Sequence, residues 1–141
     1  MEELTHILIT ENCSLVLRAT DGSVHKYHGR GVADLYRLLT EEPELLRGAI
    51  VADKVVGRGA ASLMILGEVA GFHTLLLSEN ALAFLGKSDV RFSYDRLVPH
   101  IINRQGNGIC PVESLTSQAH DPREAFVLIT DFISHNSNKK T

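Results

Sequence analysis

The sequence predicts an α/β domain: a three-layer α/β/α sandwich around a mixed sheet that begins with an antiparallel hairpin. Three observations point to it. Asp21-Gly22, a strong tight-turn pair, separates two short apolar-rich runs and predicts the hairpin. Beyond residue 48, strand-like runs alternate with helix-like ones, the pattern of strand–helix–strand units. Phe72-His73-Thr74-Leu75-Leu76-Leu77 is apolar nearly throughout, as expected of a strand covered on both faces.

The elements follow in order. Leu4, Ile7 and Leu8 share one face at helical spacing and predict a short N-terminal helix, with a strand through Ile7 and Ile9 as the alternative. Cys13–Arg18 and Val24–His28 form the hairpin, with His25 and Tyr27 on one face and Lys26 and His28 on the other. After Gly29-Arg30-Gly31, the residues Val32, Leu35, Tyr36, Leu38 and Leu39 mark an amphipathic helix, and Pro43 opens a short turn. Ala49-Ile50-Val51-Ala52 reads as a strand of about four residues. The chain then turns polar at Asp53-Lys54 and enters a small-residue helix from Gly57 to Gly67. Phe72–Leu77 is the next strand. Ser78 is placed to cap a helix over Glu79–Leu85, which Gly86 ends. Val90–Tyr94 alternates as a strand, with Phe92 and Tyr94 toward the core and Arg91 and Ser93 facing away. Residues 97–104 read equally as helix or extended chain, and Gln105–Gly108 as a loop. Cys110-Pro111 and Asp121-Pro122 open the last two helices, leaving 1–135 as a single domain and 136–141 as a polar tail.

Bulk properties exclude several function classes. The chain has 141 residues, 44% of them hydrophobic, enough to build a core. A net charge of −3 leaves no basic footprint for nucleic acid. No apolar run approaches the roughly 20 residues that span a bilayer, so no membrane role is expected. The first twelve residues carry Glu2, Glu3 and Glu11 and no Lys or Arg, unlike a secretory signal, so a cytoplasmic protein with Cys13 and Cys110 as reduced thiols is expected.

The candidate chemistry centres on residues 49–66. A strand ending at Asp53-Lys54 could present a carboxylate and an ammonium to one ligand, or Asp53 could cap the following helix. Gly57-Arg58-Gly59 lacks the spacing of a P-loop, and close packing of the helix explains its glycines better than phosphate binding does. Cys110, before Pro111 at a helix start, sits where a thiolate is stabilised, with Glu113 and Asn103-Arg104 close in sequence. A nucleophilic thiol also needs a base, and neither His100 nor His120 sits in a recognised pattern. Seven histidines are scattered without metal-ligand spacing, so neither a metal nor a cofactor is expected.

This order of elements is similar to the cytidine-deaminase-like fold, in which a hairpin precedes two strand–helix units. The enzymes of that fold carry a zinc ligand and a catalytic Glu at the helix start after the third strand, and two Cys ligands after the fourth. Here those places hold Asp53-Lys54-Val55-Val56-Gly57 and Leu77-Ser78-Glu79-Asn80-Ala81, so no zinc ligand carries over. More closely, ADKVVGRGAA at 52–61, Ser78-Glu79-Asn80-Ala81-Leu82, Asn103-Arg104 and Cys110-Pro111-Val112-Glu113 resemble a small prokaryotic domain-of-unknown-function family assigned to that superfamily, over most of residues 10–120. The resemblance implies a fold and an absence of zinc, and no activity.

The expected function is a zinc-free deaminase-like domain that binds a small polar or anionic, nucleoside-like ligand. Cys110 and Asp53 are its candidate catalytic groups, and Lys54, Ser78, Glu79, Asn103, Arg104 and Glu113 its candidate ligand contacts. Two alternatives stand beside it: a non-catalytic binding module or homo-oligomeric assembly, and a metal-dependent hydrolase using unorthodox ligands such as Cys110 and a histidine.

Overall fold

The structure is a computed structural model that describes residues 2–103 and 105–139. In chain order the elements are α1 (Glu2–Thr10), β1 (Leu15–Arg18), β2 (Val24–Tyr27), α2 (Ala33–Glu41), α3 (Pro43–Leu46), β3 (Ile50–Val56), α4 (Arg58–Leu66), β4 (Gly71–Ser78), α5 (Glu79–Leu85), β5 (Arg91–Val98), α6 (Pro111–Thr116) and α7 (Pro122–Lys139). The strands form one mixed sheet in the order β2-β1-β3-β4-β5. β1 is antiparallel to both its neighbours, and β3, β4 and β5 run parallel.

Alternation along β1 divides the core. Leu15 and Leu17 face the larger cluster, built with Leu35 and Leu38 of α2, Leu63 and Met64 of α4 and Ile129 of α7. Val16 faces the other way and joins Leu4 and Leu8 of α1, Cys13 and Ala52. One sheet face is therefore covered by α1 over β1 and β3, and the other by the remaining helices. α4 lies at the centre of that second layer. Gly59 through Met64 are all buried, which explains its small residues: neighbours approach it from several sides.

The three parallel strands share one irregularity. Val51, Phe72 and Phe92 pair across β3, β4 and β5 and face the larger core, and so do Val56, Leu77 and Leu97 five residues later. Strict alternation would send the second row to the opposite face. The change of phase falls at the paired residues Asp53 and Thr74. Asp53 Oδ1 accepts from the Val55 N–H at 3.3 Å. Thr74 Oγ1 accepts from the Leu76 N–H at 3.4 Å and lies 3.1 Å from the Leu76 carbonyl. Each side chain bonds its own backbone two residues on, a local competition with the ladder that turns the strand. Val56 is thereby returned to the core just before α4 begins.

Several expectations need correction. The strand expected to stop at Ala52 continues to Val56, so Asp53 and Lys54 lie inside β3 and not at its end. Their polarity is accommodated by the Val55 contact and by a bond from Lys54 Nζ to Asn12 Oδ1 at 2.5 Å, while Val55 and Val56 keep pairing with β4. β5 runs to Val98, which settles Leu97 and Val98 as strand, and Ile102 then bridges Ile109. Phe92 stacks on Phe72 with ring centroids 6.0 Å apart, but Tyr94 is exposed and not core. The helix opened by Pro122 is present and runs to Lys139, which leaves the expected division at residue 135 untouched.

Candidate functional site

A cavity of about 220 Å³ opens where β3 leads into α4. Ser14 and the Gly29–Val32 connection line one side, Asp53 and Val55 the floor, and Gly57, Gly59 and Ala60 the helix start. Ile101, Cys110, Val112 and Glu113 close it. A larger groove, of about 690 Å³, adjoins it, sharing Gly31, Val32, Val55, Ile101, Cys110 and Val112 and adding Arg30, Asn103 and Gln105. Cys110 thus stands between an inner cavity and an outer groove.

Asp53 is the cavity's unusual group. Burial pushes its carboxyl up from the ordinary range to about 7, against backbone hydrogen bonds from Val55 and Lys54 that pull it down, and the nearby Asp34 pushes it further up. Asp34 is held in place by the Gly29 N–H, 2.7 Å from its Oδ2, and lies 3.5 Å from Ser14 Oγ. A side chain at Gly29 would collide with that carboxylate, which explains the glycine.

Glu113, also buried on the cavity wall, does something different. Its Oε1 accepts from the Arg58 N–H at 2.8 Å and from Asn80 Nδ2 at 3.4 Å, and its Oε2 accepts from the Ile101 N–H at 2.8 Å. It is the acceptor that caps α4, a role the sequence offered to Asp53, and no side chain at the N-cap Gly57 does so. Gly57 and Gly59 are required by this arrangement. A Cβ at Gly57 would stand 2.9 Å from Glu113 Oε1, and one at Gly59 would stand 2.6 Å from Val112 Cγ1. The close partner of the α4 start is therefore α6 rather than the sheet.

The cations placed by sequence near this helix start are used elsewhere. Arg58 donates to the Asn80 carbonyl at 3.0 Å, to Asn80 Oδ1 at 3.2 Å and to the Ala119 carbonyl at 2.7 Å. Its guanidinium lies 3.9 Å over the Phe84 ring. The ammonium of Lys54 goes to Asn12 at the end of α1, although Lys54 contributes to the cavity wall. A single ligand cannot take both the Asp53 carboxyl and that ammonium as they stand.

The structure brings Asp53, Lys54, Cys110 and Glu113 to one cavity and Asn103 to the adjoining groove. Asn103 spends its amide on its own loop, donating to Asn107 Oδ1 at 3.0 Å and accepting from the Asn107 N–H at 3.2 Å. Ser78 is buried and accepts from the Ala81 N–H at 3.2 Å as the N-cap of α5, and Glu79 is exposed, so neither lines the cavity. Arg104 lies outside the described residues. Cys110 is a half-buried free thiol at the N-cap position of α6, and no histidine lines the cavity among the described residues. Nor do those residues include a group of three or more His, Cys, Asp and Glu placed to hold a metal ion. Sequence reasoning missed Ser14, Asp34 and Ile101. Asp34 follows a glycine pair in a helix's first turn, a position that ordinary capping explains, and Ile101 is brought in only through Glu113.

Among the described residues no helix is long and apolar enough to cross a membrane. No curated protein matches the chain. A crystal structure of a DUF1893 family protein from Thermotoga maritima superposes with a TM-score of 0.83 at 25% identity, covering 92% of this chain and 87% of that one. The family model described as Domain of unknown function (DUF1893) matches residues 3–133. The chain therefore belongs to the DUF1893 family of domains of unknown function.

Proposed function

We propose that the cavity binds a small polar, uncharged molecule of nucleobase or sugar size, with Asp53 as the group that shares or exchanges a proton with it. The observation that carries this reading is the Asp53 carboxyl: buried, at a cavity wall otherwise dominated by Val32, Val55, Ile101 and Val112, and balanced near neutral pH. The inner cavity, at about 220 Å³, falls below the roughly 300–1,000 Å³ of ordinary ligand clefts, so it takes a fragment the size of a base or sugar, and anything larger extends into the adjoining groove. The engagement of Arg58 and Lys54 elsewhere favours a neutral ligand over an anionic one. The hairpin followed by the β3–α4 and β4–α5 units supports a deaminase-like reading of the fold, with the cavity at the first helix start. In a catalytic version, Cys110 is the nucleophile. A thiol needs a proton acceptor, and with no histidine on the wall that role falls to Asp53 in its ionised form.

The test is a thermal-shift panel of free bases, nucleosides and small amides at pH 6 and pH 8, read together with the alkylation rate of Cys110. A ligand of this cavity raises Tm, slows the alkylation, and loses at least tenfold in affinity in Asp53→Asn. Ligands that leave Cys110 alkylation unchanged, or bind Asp53→Asn equally well, would contradict the reading, as would a panel without a binder.

A further inference from the structure

The last strand of the sheet has an unpaired edge, and its sequence fits a second copy of itself. β5 pairs with β4 alone among the described strands. The Arg91 N–H donates to the Ala70 carbonyl at 3.2 Å, so residue 91 turns its backbone groups toward β4. Backbone direction alternates over residues 91–94, which pair with β4 without a break ahead of the change of phase, so Ser93 also turns inward while Phe92 and Tyr94 turn their N–H and C=O groups to the open edge. Side-chain direction is fixed as well. His73 Nδ1 lies 2.7 Å from Ser93 Oγ and its Nε2 lies 2.9 Å from Asp95 Oδ1, which places Ser93 and Asp95 on the face opposite the Phe72–Phe92 stack.

We propose that two copies of this chain pair through their β5 edges, antiparallel about a twofold axis at Ser93, so that two five-stranded sheets become one. The register follows from charge. Edge pairing must set outward residues opposite outward residues, which permits centres only on whole residues. A centre on Asp95 opposes two aspartates, and a centre on Phe92 sets Asp95 against Asp89. A centre on Tyr94 sets Asp95 against Ser93. A centre on Ser93 sets Arg91 opposite Asp95 of the second copy, and by symmetry does so twice. The same register sets Phe92 opposite Tyr94 of the second copy as the hydrogen-bonded pairs, and covers the exposed Tyr94. His73 holds Asp95 on the face where that arginine arrives. This interface rests on the sheet edge and is independent of the cavity.

Ser93 then faces itself across the axis in a non-hydrogen-bonded pair, with a Cα separation of about 4.5 Å, inside the range that a disulfide spans. In a Cys110→Ser background, Ser93→Cys is expected to oxidise to a covalent dimer, while Lys26→Cys, on the opposite edge strand β2, is not. In sedimentation equilibrium the unmodified chain is expected to be a dimer. Asp95→Arg should weaken it at least tenfold, and Arg91→Asp combined with Asp95→Arg should restore it. Lys26, Arg91, Ser93 and Asp95 are exposed and Cys110 half-buried, so circular dichroism should report an unchanged fold. A monomeric unmodified chain, Ser93→Cys cross-linking no faster than Lys26→Cys, or a dimer indifferent to Asp95→Arg would overturn the proposal.

Discussion

Asp53 and Glu113 are two carboxyl groups on one cavity wall, and they have opposite roles. They are buried to a similar degree, 9% and 2% exposed, so burial does not distinguish them. Their donors do. Glu113 collects two backbone N–H groups at 2.8 Å and an amide at 3.4 Å, joining α4, α5, α6 and the chain after β5. Asp53 has the Val55 N–H at 3.3 Å, a weaker backbone contact from Lys54, and a second carboxylate, Asp34, nearby. A buried carboxyl matched by donors serves the fold, and one left under-matched holds its proton above the ordinary carboxylate range.

The largest effect is expected from Glu113→Ala, which strips the acceptor from three donors at once and should cost about 3–5 kcal/mol in urea unfolding. Asp53→Asn should act in the opposite direction. In the unfolded chain the Asp53 carboxyl ionises near the usual value of about 4, while in the folded chain it does so near 7. Folding stability therefore falls as pH rises between those values, and the fall is absent in the amide variant. Asp53→Asn should be more stable than the unmodified chain by about 2–4 kcal/mol above pH 7, with the difference vanishing below about pH 4. Gly57→Ala sharpens the Glu113 side. Its methyl would push on Glu113 Oε1 and Ile101 Cγ1 and should cost about 1–3 kcal/mol by the same unfolding assay. The smallest effect belongs to Lys54→Ala. It should change stability by under about 1 kcal/mol and leave Cys110 alkylation unaltered, because its ammonium sits at Asn12.

The fold was legible where the signal is local. The Asp21-Gly22 hairpin, the α5 cap at Ser78 and the Pro111 and Pro122 helix starts all depend on residues adjacent in sequence, and all are present. The length of β3 was not legible, because a strand that carries Asp53-Lys54 in its middle contradicts its own polarity pattern. What permits it is tertiary: Asn12 for one side chain and a cavity for the other. The cavity residues divide in the same way. Asp53 and Cys110 stand out by type and position, whereas the role of Glu113 depends on partners 55 and 12 residues away. Nothing near Glu79 in sequence says that its neighbour Asn80 would be the residue that reaches Glu113 and Arg58.

The proton that Asp53 holds near neutral pH in the intact fold can be read directly. The carboxyl carbon of Asp53, assigned by comparison with Asp53→Asn, can be followed by carbon NMR from pH 3 to pH 9. A titration midpoint near 7 is expected. A midpoint near the unperturbed value of about 4 would contradict it and return Asp53 to the ordinary carboxylates of the protein.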